Sequence, residues 1–180
     1  MRKHTNSTKC IAFCGVLSAL AVVVMLITFI PYLLFIAPVL ACCIVAIINI
    51  ELDCKYALSS YAVISTLSIL FSPDKEAAMI FVGVFGLYPL IKGFFENKFR
   101  SNILKFILKL LYLNITLVIS YLVIIFIFGI PLEGMNDLGK FTIPILIILA
   151  NFMFIMNDVA LSAVFTLYSK KFKGKFFKLW

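Results

Sequence analysis

Asp158 is the side chain here whose type and position most invite chemistry, because it stands deep inside an apolar run covering 141–168. An ionisable group at membrane depth costs roughly 2.5–3.5 kcal/mol on insertion scales, so it is by default a candidate functional residue. Asn151 lies two helical turns earlier on the same face. Asn157 is rotated by about 100° and faces a different neighbour. A carboxylate with two carboxamides suits a substrate or coupling site, and it equally suits interhelical glue, in which each polar group bonds another span. Lys92 and Lys109 are the candidate counter-ions. Lys92 is four residues from Glu96, so the two can pair on one helix face. Glu76 is a further acid, in the first turn of a helix that follows Ser72-Pro73-Asp74-Lys75.

Enzymatic chemistry is not expected. The chain has no HExxH, no GxSxG and no paired Glu, and its single histidine, His4, is in the N-terminal tail. The five cysteines, at 10, 14, 42, 43 and 54, form no CxxC pair and mostly sit in or beside apolar runs. There they behave as small hydrophobes, so neither a metal nor a redox cofactor is expected.

The elements that position these groups are apolar helices. With 64% hydrophobic and 13% charged residues, the chain reads as an all-α integral membrane protein and a single transmembrane domain. It has room for six spans of about 20 residues. They are expected at 10–29, 33–50, 56–71, 77–95, 103–128 and 141–168, with a basic tail at 169–180. Pro31-Tyr32 reads as a tight connection and Pro89 as a kink in the fourth span. The stretch 103–111 reads as an amphipathic, interface-lying entry to the fifth. Serines at 59, 60, 65 and 68 in the third span can bond their own helix or a neighbour.

The net charge of +8 is spread over the ends of apolar runs, which argues against nucleic acid as a partner. With both termini cytoplasmic, only Lys75 and Lys140 among the 16 Lys and Arg fall outside. That is a strong positive-inside bias, and it predicts N- and C-termini facing the cytoplasm and an anionic inner leaflet as partner. Asp158 then lies near the midplane or slightly inside it, twelve residues or ~18 Å from Lys170.

The opening Thr8-Lys9-Cys10-Ile11-Ala12 and the small-residue first helix resemble substrate-binding (S) components of energy-coupling factor transporters. More narrowly, Pro73-Asp74-Lys75-Glu76-Ala77 and Phe85-Gly86-Leu87-Tyr88-Pro89-Leu90-Ile91-Lys92 with Glu96 are similar to a group of S-component-like membrane proteins from Gram-positive bacteria. The resemblance implies an S-component-like six-helix bundle in the bacterial plasma membrane. It also implies capture of a small molecule such as a vitamin, and docking onto a transmembrane coupling subunit driven by two ATPase subunits. Ala12, Gly15 and Ala19 would form the docking stripe, with Gly15 standing where the family has an alanine and allowing closer approach. Pro31-Tyr32 leaves a shorter connection after the first helix than the family's. The alternative is a small membrane protein that handles lipid or isoprenoid head groups, or chaperones a partner, with Lys92, Lys98, Arg100, Lys105 and Lys109 as its basic belt.

Overall fold

The computed structural model describes residues 7–30, 35–98, 102–123, 126 and 142–171. The connection at Pro31-Tyr32, the segment 129–140 and the basic tail beyond 171 lie outside the described residues. All the described elements are helical: α1 (Ser7–Leu26), α2 (Ile36–Glu51), α3 (Cys54–Phe71), α4 (Lys75–Ile80), α5 (Tyr88–Lys98), α6 (Asn102–Val123) and α7 (Thr142–Lys171). A short 3-10 turn, Ile27–Phe29, extends α1, and a π-helical turn, Phe81–Phe85, follows α4. Among the described residues, five stretches are long and apolar enough to cross a membrane, the one at Lys75–Phe95 being α4, the π turn and α5 together.

The second apolar element is shorter than the rest. At 16 residues α2 has a rise of roughly 24 Å, less than a typical hydrocarbon core. It is the central helix, in contact with α1, α3, α5, α7 and the π turn. Ala41, Cys42, Val45, Ala46 and Ile48 on it are fully buried. A helix apolar on every side is stable where other helices surround it. Its neighbours turn their remaining apolar side chains outward, as Val16, Val23, Leu70 and Val159 do.

α1 and α3 meet along small residues. Cys10, Ser18 and Ala21 on α1 and Ala57, Ser60 and Ser68 on α3 are all buried. Small side chains let two backbones approach closely, which is how helices gain dispersion energy where lipid offers no hydrophobic drive. At the far end of this seam the Thr28 hydroxyl donates to the Met25 carbonyl at 2.8 Å and lies 3.1 Å from the Ser72 hydroxyl.

The turn between α3 and α4 forms as its sequence suggests. Asp74 caps α4, its Oδ1 accepting from the backbone N–H of Glu76 at 2.8 Å and of Ala77 at 3.1 Å. Lys75 reaches back and donates to the carbonyls of Ile69 and Ser72 at 2.8 and 3.1 Å. A lysine at a helix C-terminus satisfies carbonyls that have no intrahelical partner.

The fourth apolar run is one helical stretch, Lys75–Phe95, whose regular α-helical bonding breaks at the π turn and Gly86-Leu87, just before Pro89, and resumes as α5 at Tyr88. Pro89 therefore lies in the first turn of a helix, where its missing N–H costs little. α6 runs unbroken from Asn102, and Lys109 on it is buried at 9% exposure.

Candidate functional site

The site is assembled from three helices and begins at the break. In the π turn the Gly86 N–H bonds back to the Phe81 carbonyl, five residues earlier, at 2.6 Å. Carbonyls along this turn are met by side chains from neighbouring helices. The Tyr61 phenol on α3 donates to Val82 at 2.8 Å, and the Tyr112 phenol on α6 donates to Gly83 and Val84 at 3.3 and 3.2 Å. Asn49 on α2 donates to the Pro89 carbonyl at 3.3 Å. In an apolar setting a backbone group without a partner costs several kcal/mol, so these donors stabilise the irregular segment. Gly86 is required by close approach, since a Cβ there would sit 2.6 Å from the Tyr61 ring.

The break sets the rotation of α5. Tyr88 and Lys92 are four residues apart and so share one face. That face meets Phe154 and Asp158, also four apart, on α7. The Tyr88 ring contacts Phe154 edge-on at 4.7 Å and stacks with Tyr112 of α6 at 6.1 Å. Its phenol donates to Asp158 Oδ1 at 2.5 Å.

Asp158 then collects both lysines. Lys92 Nζ donates to Oδ1 at 2.5 Å, to the Asp158 backbone carbonyl at 2.8 Å and to the Ser162 hydroxyl at 2.6 Å. Lys109 Nζ, from α6, lies 3.0 Å from Oδ2 and 3.2 Å from Oδ1. Lys92 is 1% exposed, and the Asp158 side chain retains 23% exposure. A carboxylate this deep keeps its charge only when charge-assisted bonds replace water, and here a phenol and two ammonium groups do so. The arrangement ties α5, α6 and α7 at one point. It holds no nucleophile with an adjacent base.

Two further polar groups extend the tie. Asn114 on α6 and Asn151 on α7 exchange amide bonds at 3.2 and 3.4 Å, and each also donates to the carbonyl four residues earlier in its own helix. Asn157 points elsewhere: it is buried at 2% exposure and faces Cys42 of α2. Glu76 is exposed at the start of α4, away from this cluster. The side chain of Glu96 lies outside the described residues. Ala12, Gly15 and Ala19 are exposed on α1.

Lys92 and Lys109 both reach Asp158, where the sequence offered them as alternatives. Tyr88 joins them on the same carboxylate. Its spacing of four from Lys92 was the signal that the two share a target. Tyr61 and Tyr112 carried no such signal, because their carbonyl partners exist only once the fourth run breaks.

Comparison with known proteins adds no relative. No family model, no curated protein and no solved structure matches this chain. Among the described residues no three metal-ligating side chains come together.

Proposed function

We propose that this chain is the substrate-binding subunit of an energy-coupling factor type uptake transporter. In this reading it has six spans with both termini cytoplasmic in a bacterial plasma membrane, and no catalysis of its own. The observation that supports it most directly is on α1. Ala12, Gly15 and Ala19 are exposed, and a Cβ added at Gly15 would meet nothing within 4 Å. The bundle uses the opposite, Cys10–Ser18–Ala21 side of the helix for its own packing. A small-residue face left open by its own fold suits close docking of another transmembrane helix.

The Asp158 cluster has a coupling role in this reading. It binds α5, α6 and α7 into one body that tilts together when the subunit docks. The alternative, a protein that holds lipid head groups or chaperones a partner, draws on the same lysines. It is the weaker reading because two of the five basic residues it draws on, Lys92 and Lys109, are already engaged by Asp158.

Affinity purification of the tagged chain in mild detergent, with mass spectrometry of the proteins recovered, tests the proposal. Two ATPase subunits and a coupling subunit should accompany the wild type. Gly15→Leu should abolish their recovery while leaving the isolated chain folded and inserted. Recovery of the chain alone, or with lipid only, would overturn the transporter reading.

A further inference from the structure

The π turn Phe81–Phe85 lies inside a span, and turns of this kind within helices recur at functional positions. Its backbone bonding reaches one residue further than an α-helix requires, from the Gly86 N–H to the Phe81 carbonyl. The carbonyls of Val82, Gly83 and Val84 accept from the phenols of Tyr61 and Tyr112. Such a turn closes into the helix when each N–H bonds four residues back rather than five. Closing takes up one residue, an advance of about 1.5 Å and a rotation of about 100°.

The two sides of the turn are held with different firmness. Beyond it, α5 is fixed to α7 by Tyr88 and Lys92, which bond Asp158 and Ser162. Before it, α4 is only six residues long. Ala77 and Ala78 on α4 are both fully buried, so an advance of one residue puts alanine in the place of alanine at the tightest contact. α4 is therefore the side that moves. At its start the Ser72 hydroxyl donates to the Asp74 carbonyl at 3.1 Å and lies 3.1 Å from the Thr28 hydroxyl, just beyond α1. A shift of α4 pulls on the end of α1.

The contact with α6 leaves the present register incompletely satisfied. A Cβ at Gly83 would collide with the Ser120 hydroxyl. That hydroxyl is buried at 3% exposure and, among the described residues, has no hydrogen-bond partner. Buried polar groups are bonded with few exceptions.

We propose that the π turn is a two-position register switch joining α1 to the Asp158 cluster. In the position seen here the turn is open and phenols hold its carbonyls. In the other it closes into the helix, and α4 advances by one residue towards α5. The proposal rests on the docking reading above, which supplies what throws the switch. A helix docked on α1 displaces its end at Thr28, and the switch passes that displacement to the body formed by α5, α6 and α7.

The test is relaxation dispersion of the glycine amides in the isotope-labelled full-length protein in detergent, with no partner present. Gly83 and Gly86 should exchange on the microsecond-to-millisecond scale with a minor state of roughly 1–10%. Gly15 and Gly93, in regular helix, should show a single state. Tyr61→Phe should raise the minor population about fivefold, the net worth of one hydrogen bond. If that variant does not accumulate, Tyr112→Phe carries the same test. Thr28→Val at one end and Ser162→Ala at the other should each change the population at Gly86 by about twofold or more, since both ends bias one two-state element. Deletion of Val82 removes the residue that the turn takes up, so it should abolish the exchange and unfold close to the wild-type midpoint. Deletion of Leu90 from the regular α5 should lose the fold, because it turns Lys92 off the face of Tyr88.

A single state at Gly86, or a population that either Thr28→Val or Ser162→Ala leaves unchanged, would overturn the proposal. So would a Val82 deletion as damaging as the Leu90 deletion. Purification separates this from the transporter reading. ATPase partners with a static Gly86 would leave that reading and remove the switch, whereas exchange biased from both ends without partners would do the reverse.

Discussion

The two sides of the central helix α2 are built on different physics. On one side α1 and α3 pack through Cys10, Ser18, Ala21, Ala57 and Ser60, with close approach doing the stabilising. On the other, α5, α6 and α7 are tied by Asp158 to Tyr88, Lys92 and Lys109 and by the Asn114–Asn151 pair. Helices in lipid gain little from burying apolar surface, because lipid is as apolar as leucine. They associate either by fitting closely or by sharing polar groups that lipid cannot satisfy. The first side is tolerant of polarity and intolerant of volume, and the second is the reverse.

The largest effect should come from the polar side. Asp158→Leu leaves two buried ammonium groups without their carboxylate and should cost about 3–5 kcal/mol of stability in reversible unfolding from detergent. Adding Lys92→Met and Lys109→Met to that variant should recover most of the loss, because an apolar cluster of similar volume has no charge to strand. A loss below about 1 kcal/mol for Asp158→Leu would place the two sides on the same footing.

The close-packed side should respond to volume alone. Ala21 is fully buried on the packed side of α1, so Ala21→Leu should cost about 2 kcal/mol by forcing the helices apart. Gly15→Leu, on the open face of the same helix, should cost almost nothing in the isolated chain. Equal losses for these two variants would show that α1 packs on both faces.

Smaller effects resolve the polar side further. Tyr61→Phe removes the phenol from the Val82 carbonyl in the π turn and should cost about 1 kcal/mol, seen as faster amide exchange along Phe81–Phe85. Asn114→Leu should cost about 0.6 kcal/mol, a typical value for a neutral hydrogen bond between membrane helices. An Asn114→Leu loss approaching that of Asp158→Leu would move the centre of the tie from the carboxylate to the amide pair.

Much of the helical layout was legible in the chain because apolar runs of membrane length have one common solution. With no water to bond the backbone, each run must satisfy its own N–H and C=O groups as a helix. Asp74 announced the start of α4 because a cap acts within one turn of its own position. Asp158, Lys92 and Lys109 stood out for their depth, and a buried acid requires partners whichever helices supply them.

The sequence by itself determined the apolar helices, the Asp74 cap and a deep acid, Asp158, that needed a basic partner. Only the tertiary structure decided where the fourth run breaks, and so which face of α5 turns to α7. That break depends on phenols from Tyr61 and Tyr112, which are 21 and 28 residues from the carbonyls they hold. It also decided that Tyr88 joins the cluster, that Asn157 faces α2, and that Ala12, Gly15 and Ala19 stay open. Periodicity specifies which residues of a helix share a face, but only packing against the other helices specifies what that face meets.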